Sequence, residues 1–176
     1  LAVNSSMKPL AIAAIIFSLS IISIKASAQI PHIGIYAHAL YAAPLDESSQ
    51  KLYNGGAGAV GGILLGKKST RFNASIGYTH FFADNINALG DETYVPLKAG
   101  IRQYIPFTLH FLFVQGDAGV GFVSNKNSSD NSSRFAFDFG AGVKFGGFEA
   151  ALIWDNFHEL KPSGTSSWLT IQAGFN

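Results

Sequence analysis

Phenylalanine recurs at every second position in the stretch RFAFDFGAGVKFGGFEAALIWDNF, residues 134–157. Phe135, Phe137, Phe139, Ala141, Val143 and Phe145 share one parity, while Asp138, Gly140, Gly142 and Lys144 share the other. A period of two belongs to a strand, whose successive side chains point to opposite faces. The chain after residue 29 breaks into eight runs of strand character, seven of which show this two-sided pattern. PHIGIYAHALYA (31–42) sets Ile33, Ile35, Ala37 and Ala39 against His32, Gly34, Tyr36 and His38, and GAGAVGGILLG (56–66) is glycine-rich with ambiguous faces. TRFNASIGYTHF (70–81) sets Phe72, Ala74, Ile76 and Tyr78 against Arg71, Asn73, Ser75, Gly77 and Thr79. TYVPLKAGIRQYI (93–105) opposes Val95, Leu97, Ala99 and Ile101 to Lys98, Gly100, Arg102 and Tyr104. HFLFVQGDAGVGFV (110–123) opposes Leu112, Val114, Ala118, Val120 and Phe122 to Gln115, Asp117, Gly119 and Gly121. After the phenylalanine strand, Phe148, Ala150, Leu152 and Trp154 face away from Glu149, Ala151 and Asp155. In the last run Leu169, Ile171, Ala173 and Phe175 face away from Thr170, Gln172 and Gly174. No helical period competes with these strands.

The connections alternate too. Lys67-Lys68-Ser69, Pro106-Phe107-Thr108 and Gly146-Gly147 are tight, the last a strong two-residue hairpin turn. The connections at about 43–54, 83–92, 124–133 and 158–166 are longer and polar. Such alternation fits an up-and-down meander with its long loops at one end and its tight turns at the other.

Period two alone fits a soluble sandwich, a lipocalin-like barrel or a membrane barrel. Composition separates them. Charged residues make up 13% of the chain, about half the ~25% of a soluble domain. The polar parity is mostly Gly, Ala, Ser, Asn and Gln, too sparse for a water-facing wall and suited to a crowded interior. Aromatics near strand ends (Phe81, Phe82, Tyr104, Phe107, Trp154, Phe157, Trp168 and Phe175) read as interfacial girdles. The expected fold is therefore all-β: an eight-stranded antiparallel up-and-down transmembrane β-barrel with Phe135, Phe137, Phe139, Val143, Phe145, Leu152 and Ile171 facing lipid.

The front of the chain reads differently. From Met7 a lysine, Lys8, precedes an apolar run to about Ile24 and then Ala26-Ser27-Ala28. These are the three regions of a cleavable signal peptide, with cleavage expected after Ala28. The division is then 1–28, a signal peptide with an upstream extension at Leu1 to Ser6, and 29–176, the barrel.

YVPLKAGIRQYI, LFVQGDAGVGFV, the 135–157 stretch and the terminal WLTIQAGFN resemble the bacterial outer membrane protein β-barrel domain family, small barrels similar to OmpX and the membrane domain of OmpA. The resemblance covers the whole segment after the signal peptide. It implies residence in the bacterial outer membrane, contact with its lipid, and no activity carried by fixed catalytic residues.

An eight-stranded barrel is just wide enough for side chains to fill. The inward charges Arg71, Lys98, Arg102 and Lys144 match Asp117, Asp138, Glu149 and Asp155 in number, as a packed polar network requires. Pairing across Gly146-Gly147 sets Lys144 opposite Glu149 and Asp138 opposite Asp155. The second pair requires a cation, Arg134 or a base from another strand. His38, His80 and His158 are expected toward the long-loop end. No GxSxG, HExxH or HxH spacing accompanies them, so no catalytic, cofactor or metal site is assigned. A net charge of +1 offers no pull on nucleic acid, and the absence of cysteine excludes disulfides and thiolate metal sites. The expected role is non-enzymatic, exerted through the long loops or in envelope maintenance. The alternatives are a lipid-modifying enzyme and a narrow channel for small solutes.

Overall fold

A computed structural model describes residues 32–67, 69–84, 90–108, 110–126, 131–159 and 165–176. The expected signal peptide and its cleavage point lie outside the described residues. Eight strands follow one another as β1 (His32–Pro44), β2 (Tyr53–Lys67), β3 (Thr70–Ala83), β4 (Glu92–Tyr104), β5 (Leu112–Asn125), β6 (Asn131–Phe145), β7 (Phe148–Glu159) and β8 (Thr165–Phe175). Each pairs antiparallel with its neighbour, and β8 pairs with β1, closing the barrel. Closure leaves the sheet without the paired-off outer strands that would otherwise offer free backbone groups.

Register keeps each parity on one face. Asp138 stands opposite both Asp117 on β5 and Asp155 on β7, and all three point inward. Phe139 stands opposite Trp154 and faces out. The ambiguous β2 resolves the same way: Ile63 and Leu65 are exposed, while Leu64 is fully buried. Of the outward set, Phe135, Phe139, Phe145, Leu152 and Ile171 are exposed, and Phe137 and Val143 are half covered by neighbours. Phe137 lies edge-on to Trp154, their ring centroids 6.2 Å apart.

The inward glycines have a physical cause. A Cβ on Gly121 would collide with the ring of Tyr94, and one on Gly142 with the ring of Phe113. Glycine on one strand thus seats an inward aromatic from the next. At the β6–β7 hairpin, Gly146 has φ 58°, the left-handed region that the first residue of a type II′ turn requires.

Two connections depart from the sequence reading. The first long loop carries a helix, α1 (Glu47–Leu52), which the period-two pattern gave no reason to expect. Asp46 caps it, accepting the Ser49 N–H at 2.8 Å. The Pro106-Phe107-Thr108 turn is a short 3-10 helix within a longer crossing from β4 to β5. The strands also run further into the loops than expected: β5 extends to Asn125 and β6 begins at Asn131, so the third loop is about half its anticipated length.

Candidate functional site: the filled barrel interior and its loop-end mouth

The charges of the interior fall into two linked groups. Nearest the tight turns, Glu149 is fully buried and gathers partners from β1, β4 and β6 and from Asn176 just past β8. Arg102 Nη1 on β4 donates to it at 2.7 Å and Tyr104 Oη at 3.3 Å, while Asn176 Nδ2 donates at 2.7 Å. Lys144, its partner across the hairpin, lies 3.6 Å away, and His38 Nε2 on β1 approaches to 3.3 Å. The same Arg102 donates from Nε and Nη2 to Gln115, and its guanidinium lies over the rings of Phe113 and Tyr36. Arg71 sits over the Tyr104 ring, 4.8 Å from its centroid.

Gln115 bridges to the second group by donating to Asp117 at 3.2 Å. Asn73 donates to both oxygens of Asp117, and Tyr36 Oη donates to Asn73 at 2.9 Å. The cation beside Asp138 and Asp155 is Lys98 from β4, at 2.5 Å and 3.1 Å. An ammonium centred between facing carboxylates removes a repulsion that the low interior dielectric would otherwise magnify.

Above this layer the interior turns apolar. Tyr53, Phe81, Tyr94, Phe157 and Trp168 pack with Ala42, Val123 and Ala136 beneath the long loops. Phe81 stacks on Trp168 with centroids 4.1 Å apart, and Tyr94 stacks on Phe157 at 4.6 Å. Four aromatics that read as girdle residues in the sequence therefore point into the barrel rather than outward. Phe81, Phe157 and Trp168 build this cap, and Tyr104 closes the interior at the opposite end beside Phe113 and Ile153. The parity was available: Phe81 continues the Arg71-to-Thr79 series, Phe157 that of Asp155, and Trp168 that of Thr170. A cavity of ≈ 20 Å³ lies between the cap and the Lys98–Asp155 pair, space for about one water. Among the described residues the interior thus has an ionic floor, a carboxylate–lysine middle and an aromatic lid.

The histidines do not converge. His38 sits inward beside Glu149, well below the long loops, contrary to the expectation from sequence. The inward parity that fixes its direction says nothing of its height. His80 does lie at the loop end, outward, with Nε2 3.5 Å from Asp91. The backbone of His158 pairs with Thr165 at that end as well. Among the described residues no cluster of ligating side chains could hold a metal ion.

At the mouth, Asp46 does more than cap α1. Its second oxygen accepts the Ser167 N–H at 2.8 Å, and Leu45 N–H donates to Ser167 O, fastening the first loop to β8. Burial acts to raise the Asp46 carboxyl, but the N–H groups of Ser167 and Ser49 outweigh it and hold it below the usual carboxylate range. Asp91 is also lowered, chiefly by the Ala83 N–H it accepts and then by His80. At the C-terminal end of the helix, Tyr53 Oη donates to Glu92 at 3.0 Å.

No family model matches the sequence, and no curated protein matches it significantly. Solved structures do match the fold. The attachment invasion locus protein Ail of Yersinia pestis, in complex with the heparin analogue sucrose octasulfate, superposes with a TM-score of 0.60 at 15% identity, covering 84% of this chain and 99% of that one. The N-terminal β-barrel domain of Pseudomonas aeruginosa OprF gives 0.58 at 15% identity over 84% of this chain and 98% of that one. Ail in a phospholipid bilayer nanodisc gives 0.53 at 17% identity over 81% and 99%.

Proposed function

From a closed eight-stranded barrel of the kind found in Ail and OprF, we propose an integral protein of the bacterial outer membrane, non-enzymatic and filled along its axis, that acts through its loop end in surface contact or envelope maintenance. The observation that carries this reading is the outer wall. On β4 the outward positions Val95, Leu97, Ala99 and Ile101 are bounded by Thr93 above and Gln103 below. Thr70 Oγ1 on β3 donates to Gln103 Oε1 at 2.6 Å, continuing the lower polar edge. Ten steps of ~3.3 Å along a strand tilted by ~40° span ~25 Å, the height of the lipid-facing band of such barrels. Charged side chains inside and an uncharged apolar belt outside invert a soluble barrel.

The interior argues against a channel, because Lys98 with its carboxylates and the aromatic lid occupy the axis in successive layers. Outside the strands, the four long connections carry five acids, Asp46, Glu47, Asp84, Asp91 and Asp130, against Lys51, Lys126 and Lys161. A polysulfate of the kind bound by Ail would meet net negative charge here, so a neutral or basic surface partner fits better. The test is fractionation followed by gel migration. The protein is expected to stay in the membrane after alkaline wash and to shift on boiling, without stable conductance steps in planar bilayers. Recovery in the soluble periplasmic fraction with no shift would overturn the reading.

A further inference from the structure

Most of the loop-end rim on the outer wall is bulky, with Tyr41, Tyr78, Phe82 and Trp154 exposed there. Between β4, β5 and β6 the wall recedes instead. A groove of ≈ 350 Å³ is lined by Thr93, Val95, Phe122, Val123, Ser124, Ser132 and Ser133. Register explains it. Thr93 stands opposite Ser124, and Phe122 opposite Ser133, so three short hydroxyl side chains meet where other strands place rings. Val95 and Phe122, one outward position lower on their strands, form the floor. The groove therefore carries the Thr93 and Ser124 hydroxyls at its upper end and an apolar floor below, with Ser133 flanking the floor beside Phe122. None of its lining residues is charged; above it the backbones of Asp91 and Lys126 pair, Lys126 N–H donating to Asp91 O at 3.0 Å, and the Lys126 charge acts on the Asp91 carboxyl.

We propose that this groove seats one outer-leaflet glycolipid, its sugar hydroxyls on Thr93, Ser124 and Ser133 and its first acyl carbons on Val95 and Phe122. Three neutral donor–acceptor groups with no net positive charge match a sugar face better than a phosphate, which calls for arginine or lysine. The apolar floor continues into the lipid-facing band, so an amphiphile seated here needs no kink to enter the bilayer. The inference rests on the membrane-spanning reading and adds a head-group preference to it.

The probe is a pair of detergents of equal tail, dodecyl maltoside and lauryl dimethylamine oxide, with the refolded barrel examined by native mass spectrometry. The maltoside is expected to survive as a bound adduct at energies that strip the amine oxide. Replacing the three hydroxyls together (Thr93→Val, Ser124→Ala, Ser133→Ala) is expected to lower that retention about tenfold. Ser133→Trp, which fills the groove with a ring suited to the interface, is expected to abolish it, while Thr70→Val at the lower rim leaves it unchanged. Equal retention of both detergents, or triple-variant retention equal to that of the parent, overturns the proposal. Displacement of maltoside by phosphatidylglycerol at equal concentration overturns the sugar assignment. A barrel that fails to insert into any detergent micelle sinks the membrane reading itself, a result separable from loss of head-group preference in an inserted barrel.

Discussion

The two ends of the interior are built from different chemistry. Toward the tight turns, Glu149, Arg102, Gln115 and Lys144 form a hydrogen-bonded ionic floor in which nearly every polar atom has a named partner. Toward the long loops, Phe81, Tyr94, Phe157 and Trp168 stack into a lid held by area and ring contact. The floor depends on pairing, since a buried charge deprived of its counterpart is costly. The lid depends on volume, since a missing ring leaves a void its neighbours cannot fill. Between them, Lys98 with Asp138 and Asp155 belongs by chemistry to the floor and by position to the underside of the lid.

The sharpest way to break that contrast is to remove the charge at its hinge. Lys98→Ala leaves two facing carboxylates buried without a cation and is expected to cost about 5 kcal/mol in urea unfolding from lipid vesicles. The loss should soften at acid pH, where Asp138 and Asp155 take up protons. Trp168→Ala attacks the lid and is expected to cost about 4 kcal/mol in the same assay, unchanged between acid and neutral pH because nothing ionic is lost. If both variants showed the same pH profile, the distinction between floor and lid would fail. Gly146→Ala tests the turn beneath both regions. Its positive φ makes a Cβ costly by about 1 kcal/mol, read as a faster unfolding rate with the interior contacts intact.

The smallest effect is expected at the mouth. Asp46→Ala removes the cap of α1 and the tie to β8, for about 1 kcal/mol, seen as faster amide exchange at Ser49 and Ser167. Because the folded Asp46 carboxyl is held low, its contribution is full above the ordinary carboxylate range near pH ~4 and is lost as pH falls through the lower folded value. Parent and variant should therefore converge in acid. Persistent divergence at the lowest pH would show that the tie is not electrostatic.

Parity in the sequence was enough to place Lys144 opposite Glu149 and Asp138 opposite Asp155, because a two-residue turn leaves no freedom of register. It also called for a cation, but Lys98 reaches the pair from β4, and stagger between non-adjacent strands is not written in any local pattern. The lid was overlooked for a different reason. An aromatic near a strand end invites a girdle reading, and only strict counting of parity sends Phe81, Phe157 and Trp168 inward. Gly121 and Gly142 fit a narrow bore in the sequence; they are better understood as seats cut for the rings of Tyr94 and Phe113. The helix α1 escaped because six residues carry no period, leaving only the capping pair Asp46 and Ser49 as a local signal.

The seam where β8 meets β1 joins Ala37–Pro44 to Trp168–Phe175, the shortest ladder in the ring and the one most remote in sequence. Asn176 completes the Glu149 cluster from beside that seam. Barrel assembly therefore resembles fastening a cuff whose button also turns a lock. The final strand must arrive before the ionic floor acquires its full set of donors, which ties completion of the ring to settling of its contents.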